Sequence, residues 1–124
     1  MEIIIRNAVD QPIYEQIKEQ IKNKIIADEL RAGECLPSIR NLAKDLRISV
    51  ITTKRAYEEL EREGYIETRQ GQGCFVANKN VELIREEQFR KVENLLNEAV
   101  NVAKISKIKK EEVNHMLDIL FEEE

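Results

Sequence analysis

The feature that most restricts the fold of this chain is a pair of helix-start signals, Pro37-Ser38 and Ser49, separated by one short apolar pattern. A serine hydroxyl ahead of an apolar-periodic run accepts a hydrogen bond from the free amides of the first turn. Leu42, Ala43 and Leu46 follow Ser38 at inward spacing, which predicts a short helix over 38–46. Arg47-Ile48 is then the whole connection to the next cap. Thr53, Ala56, Tyr57 and Leu60 give the helix after Ser49 a buried side over 49–63, and Gly64 supplies the left-handed stop. Two short helices joined this tightly form a helix-turn-helix.

The flanking segments complete a small domain. Pro12 suits a first helical turn, and Ile13, Ile17, Ile21 and Ile25 then draw one apolar stripe, with Tyr14 and Leu30 beside it. This predicts a helix over 12–28, ended by Gly33. Residues 1–6 alternate weakly and could form a short edge strand. After Gly64, Tyr65–Arg69 and Cys74–Ala77 are β-prone runs around Gln70-Gly71-Gln72-Gly73, a hairpin pattern. The expected fold class is therefore mainly α with a small β part. Residues 1–78 form a winged helix-turn-helix of three helices plus a β-hairpin wing, and residues 79–124 form a two-helix C-terminal tail.

In the tail, Ile84, Phe89, Val92, Leu95, Leu96, Ala99 and Ala103 stripe one helix. Val113, Met116, Leu117, Leu120 and Phe121 stripe a second, and Ser106-Lys107-Ile108 break the two apart. A pair of amphipathic helices this small does not bury both stripes by itself. Either the first domain or a second copy must cover them. Length favours a dimer seam of Ile84, Phe89, Val92, Leu96, Val113, Leu117, Leu120 and Phe121.

Composition narrows the function. No apolar run approaches the ~20 residues that cross a bilayer, and Met1–Arg6 is too quickly interrupted for a signal peptide. A cytoplasmic protein is expected, with Cys35 and Cys74 reduced. Two cysteines without CxxC spacing and one distant histidine, His115, point to no metal or cofactor site. No His–carboxylate or Cys–His pairing stands at a sensible spacing and no phosphate loop is present, so an enzyme is not expected. The net charge is −4, yet residues 36–57 hold Arg40, Lys44, Arg47, Lys54 and Arg55 against Asp45 alone. A basic island in an acidic chain is what a local phosphate-facing surface needs, and equally what a solvated helix face shows.

The motif favours the first of these. A major groove ~12 Å wide admits one helix, and the helix after Ser49 is the one a helix-turn-helix inserts. Ser49 and Thr52 are expected at phosphates through hydroxyls and helix-terminal amides, and Ser38 is expected to do the same at the start of the preceding helix. Lys54 can reach a base edge or a phosphate, and Arg40 a phosphate or guanine. Thr52 can equally bond back into its own helix, and Arg55 can lie beside the groove or pair with Glu58 or Glu59. At the wing tip Arg69, Gly71 and Gln72 are candidate contacts, although hairpin tips often merely turn. Cys35 precedes the second helix and Cys74 opens the second wing strand, so the thiols could be neighbours and form a redox pair.

The ordered set Pro12-Ile13-Tyr14-Glu15-Gln16-Ile17, Gly33, Leu36-Pro37-Ser38-Ile39-Arg40, Leu42-Ala43, Leu46, Ser49, Thr52, Ala56-Tyr57-Glu58-Glu59-Leu60-Glu61, Gly64-Tyr65-Ile66 and Gly71-Gln72-Gly73-Cys74-Phe75-Val76 resembles the GntR family of bacterial regulators. The short YtrA-type branch is the most similar. The resemblance spans about residues 10–77 and implies a homodimeric repressor on a pseudo-palindromic operator, with the tail as its dimerisation element. The chain departs from the family pattern at Val50, where arginine is frequent, and at Ile51, where a polar residue is usual. Both could touch thymine methyls, so an A/T-leaning half-site is expected. Thr53 stands where valine is usual, and Cys74 where threonine is common. A winged helix used as a protein–protein adaptor, and a sensor with a small-molecule effector in the dimer seam, are the alternatives.

Overall fold

The isoleucine stripe of the first helix is the floor of the core. In the computed structural model, which describes residues 1–79 and 81–123, α1 (Ile13–Ile26) buries Ile17 and Ile21 completely. Against them pack Leu42 of α2 (Ile39–Leu46) and Ala56, Tyr57 and Leu60 of α3 (Val50–Arg62). Leu36, Tyr65, Ile66 and Val76 close the other side, with Ile66 and Val76 on the antiparallel strands β1 (Ile66–Arg69) and β2 (Gly73–Val76). The β register pairs Ile66 with Val76 and Thr68 with Cys74.

The segment before α2 joins this hairpin through a single bridge, Cys35 to Phe75, with the Leu36 amide donating to Cys74 O at 2.8 Å. Side chains alternate across a pleat. Leu36, Thr68 and Cys74 therefore share the inner face, and Cys35, Phe75, Glu67 and Arg69 share the outer one. Cys35 and Cys74 are one residue apart in this register, both free thiols near Tyr57, with side chains on alternate sides of the pleat.

Two expectations are corrected. α1 stops at Ile26, and its left-handed stop is Asp28 (φ 63°), five residues before Gly33. Asp tolerates this region because its short polar side chain bonds locally, and the Lys24 carbonyl then collects the amides of Glu29 and Leu30. The N-terminal residues are not a strand. Instead, the Ile4 N–H and C=O pair with the side-chain amide of Gln20 at 2.9 and 2.7 Å, and those of Arg6 with Gln16 at 2.8 and 2.9 Å. A glutamine amide offers one acceptor and two donors, so two glutamines four apart on α1 imitate the edge of a sheet. They hold Ile3 in the core.

An ionic cluster joins α1 to α3. Lys18 pairs with Glu63 and, at 3.7 Å, with Glu59; Lys22 meets Glu63 at 3.5 Å. The hydrogen bond from Lys18 to Glu63 raises the lysine pKa above its ordinary value despite partial burial. Burial pushes the Glu63 carboxyl up, but its bonds to Lys18 and Lys22 outweigh this and leave it lowered. The pair therefore stabilises the fold between the carboxylate and lysine ranges. Its contribution fades as pH falls through the lowered Glu63 value or rises through the raised Lys18 value.

The chain divides into two compact units, Met1–Asn80 and Val81–Glu124. The second consists of α4 (Val81–Ile105), about 37 Å long at 1.5 Å per residue, and α5 (Lys110–Glu122). Lys107 at φ 59° turns the chain between them, and Glu112 accepts from the Lys109 amide at the start of α5. Among the described residues of this unit Ala103 alone is buried. Phe89, Val92, Leu96, Leu120 and Phe121 are exposed, Phe121 to 87%, while Ile84, Val113 and Leu117 are half-buried.

Gln16 is only 6% exposed and makes three main-chain hydrogen bonds, the third to Gln11 O. Its truncation strands buried polar groups, so Gln16→Ala should lower unfolding free energy by about 1–3 kcal/mol. Urea midpoints measure this, and the same change at the more exposed Gln20 should cost less.

Candidate nucleic-acid interface

The two predicted caps position the reading elements. Ser38 Oγ accepts from the Asn41 amide at 3.1 Å and starts α2; Ser49 Oγ accepts from the Thr52 amide at 3.0 Å and starts α3. Thr53 is fully buried and ties its hydroxyl back to Ser49 O at 3.1 Å. Tyr57 reaches across to donate to Pro37 O at 2.8 Å, immediately before the first cap. Burial, and then the nearby Cys74 and Cys35, push the Tyr57 phenol pKa up, so it stays a donor. This bond ties α3 to the segment just before α2.

The first turn of α3 is left bare. Val50 is exposed and Ile51 is 80% exposed, an unusual position for an isoleucine in a folded domain. The Ser49 hydroxyl donates to Thr52 Oγ1 at 2.7 Å, which leaves the Thr52 proton to donate elsewhere. Arg40 is exposed and has no carboxylate partner among the described residues. Lys54 makes only a long, exposed contact with Glu58 at 3.8 Å, an arrangement worth little in water.

Other predicted residues are held more firmly. Arg55 pairs with neither Glu58 nor Glu59: its guanidinium lies 3.8 Å from the centroid of the Tyr14 ring, clamping α3 to α1. Arg69 sits on the outer wing face, 2.9 Å from Glu67 and 4.2 Å from the Phe75 ring centroid. Gly71 (φ 76°) and Gly73 (φ 115°) adopt conformations that favour glycine, and the Gln72 amide closes the turn on Arg69 O at 2.9 Å, leaving Gln72 itself exposed. Motif position assigns no contact to Lys44 or Arg47. Both are exposed and carry no ion pair among the described residues, and their spacing from Arg40 is the signal that could have found them.

The surface is thus a capped, apolar-tipped helix flanked by unpaired cations and a glycine-built hairpin. Residues 13–76 match the family model described as "Bacterial regulatory proteins, gntR family". The chain belongs to the GntR family. A curated relative, the "Uncharacterized HTH-type transcriptional regulator YhcF" of Bacillus subtilis (strain 168), is 38% identical over 103 residues, 83% of this chain and 84% of the relative. The "HTH-type transcriptional repressor YtrA" of the same organism is 44% identical over 66 residues, 53% of this chain and 51% of that protein.

Solved structures agree on the fold. A protein titled a transcriptional antiterminator, from Listeria monocytogenes EGD-e, matches with a TM-score of 0.75 at 30% identity. The match covers 98% of this chain and 91% of that one. The DNA-binding domain of AraR, in complex with its operator ORX1, matches with a TM-score of 0.55 at 26% identity, over 62% of this chain and 96% of its own. This GntR-family chain is a transcriptional regulator with a GntR DNA-binding domain, not an enzyme. No helix among the described residues is long and apolar enough to cross a membrane.

Proposed function

We propose that this GntR regulator acts as a homodimer in the bacterial cytoplasm, binding a pseudo-palindromic operator and repressing transcription. The observation that carries the reading is the bare first turn of α3, where Ile51 is 80% exposed beside a hydroxyl pair and a cation-rich α2. Within a major groove, Val50 and Ile51 lie against thymine methyls, and Thr52 donates to a phosphate. Ser38 and Ser49 present helix-terminal amides to the backbone. Lys54 releases Glu58 and reaches a base edge or phosphate, and Arg40 reaches a phosphate or guanine. Gly71 and Gln72 bring the wing main chain close to the duplex. Arg69 joins them only by leaving Glu67, and Arg55 serves mainly to brace α3 through Tyr14. That the YtrA relative is a transcriptional repressor supports the direction of control.

The tail supports the dimer. An exposed stripe through Phe89, Val92 and Leu96, with Leu120 and Phe121 on the next helix, is larger than isolated surface apolar residues and has no core of its own. A second copy presents the same stripe, and self-complementary seams are the commonest way to close such a face. With two recognition helices ~34 Å apart, the half-sites fall about ten base pairs apart.

Selection from a random pool of duplex DNA at near-physiological salt should enrich an A/T-leaning inverted repeat with that spacing, and Lys54→Ala should alter the enriched bases. No enrichment by folded protein would favour the protein-adaptor reading instead. Light scattering of the eluting protein should give twice the 14.5 kDa chain mass. Leu96→Asp should return it to the monomer mass and reduce operator affinity by at least tenfold; a wild-type monomer would remove the seam.

A further inference from the structure

The first unit is rich in cations, and most of them stand beside a carboxylate or an aromatic ring. Lys18 and Lys22 pair with Glu63, Lys24 with Glu29, Arg62 with Glu59 and Arg69 with Glu67, and Arg31 and Lys54 have longer, exposed contacts with Asp28 and Glu58 at 3.9 and 3.8 Å. Arg55 and Lys79 lie against the rings of Tyr14 and Tyr65. Among the described residues of this unit that leaves Arg6, Arg40, Lys44 and Arg47 without a carboxylate or ring. Three of these belong to α2 and its C-cap.

Their placement is regular. At 100° per residue, Arg40 and Lys44 stand 40° apart on α2, each about 160° round from the buried Leu42. Arg47 continues the series seven residues after Arg40 and caps the helix in the left-handed region, at φ 57° and ψ 48°. Glycine occupies that conformation without steric penalty, whereas a residue with a Cβ does not. An arginine there is therefore not the choice that stability would make. The position directly precedes Ile48 and the Ser49 cap, at the mouth of the recognition helix. Asp45 is the one acid on α2, and it stands a further 100° round from Lys44.

We propose that Lys44 and Arg47 extend Arg40 into a phosphate-tracking ridge along α2, which grips successive phosphates of one DNA strand while α3 reads the groove. The inference rests on the DNA-binding reading above and deepens it by two contacts. Three cations over seven residues span about 10 Å at 1.5 Å rise per residue, longer than one phosphate step and shorter than two. The ridge is a sequence-independent clamp: it sets affinity and register, not base preference. Arg47 accepts an unfavourable backbone conformation for a contact that exists only on DNA.

The test measures binding of the full chain to a fluorescent 30-base-pair duplex of random sequence across a salt series. Each phosphate contact contributes about 0.9 to the slope of log affinity against log salt. Arg47→Gly should reduce the slope by about 0.9 and leave Tm unchanged or raised. Lys44→Gln combined with Arg47→Gly should reduce it by about 1.8, while Arg31→Gln, at a paired cation, should leave it as it is. A slope unchanged in the double variant, or one lowered only together with a fall in Tm, would overturn the ridge. If wild-type protein shows no salt-dependent binding, the DNA-binding reading itself fails, and the ridge with it.

Discussion

Everything in the first unit depends on how tightly α2 and α3 are joined. Between the last turn of one and the cap of the other lie only Arg47 and Ile48, and Arg47 makes the reversal by entering the left-handed region. At the other end of α2 the Tyr57 phenol of α3 reaches Pro37, tying the two helices together a second time. α1 is then pinned to α3 by the Lys18–Glu63 cluster and the Arg55–Tyr14 stack. The wing follows because the segment before α2 adds to β2 through Cys35 and Leu36. Remove the short corner and neither the first turn of α3 nor the wing would be presented on a common side.

Charge is distributed by the same logic. Outside α2 most cations of the first unit stand beside a carboxylate or a ring, and exposed pairs of that kind add little stability. What they accomplish is to confine the uncompensated positive charge. A chain with net charge −4 would be repelled by a polyanion if its cations were scattered in neutral pairs. Concentrated on α2, they give one face an attraction that the whole molecule lacks. The apolar first turn of α3 complements this, because Val50 and Ile51 offer no competing charge and only shape and methyl contact.

Much of this is legible in the sequence, because its determinants are local. Two serine caps, an isoleucine repeat every four residues and a glycine-spaced hairpin each specify an element within a few residues, and the first three helices end within two residues of expectation. What escapes is long-range or conformational. The N-terminal arm reads as a strand because the β-branched run Ile3-Ile4-Ile5 looks the same whether its main chain meets a strand or, at Ile4 and Arg6, two glutamines sixteen and ten residues away. Asp28 displaces Gly33 as the helix stop because either residue can be left-handed and composition does not say which one turns first. The nearness of Cys35 and Cys74 is legible because the strand pairing can be foreseen, whereas the face each takes depends on one residue of register. At the proposed interface, motif position names Arg40, Ser49, Thr52 and Lys54 as candidates, and the structure leaves Arg40 exposed and Lys54 only loosely paired. The Tyr14 stack that captures Arg55 depends on how α1 crosses α3, which no spacing rule encodes.

The most direct measurement is backbone amide NMR of the 124-residue chain titrated with its selected duplex. The account predicts shifts concentrated at residues 38–41, 44, 47–55 and 69–73, with those of α1 and α5 almost unmoved. Shifts gathered on α1 or the tail, with residues 47–55 silent, would contradict it.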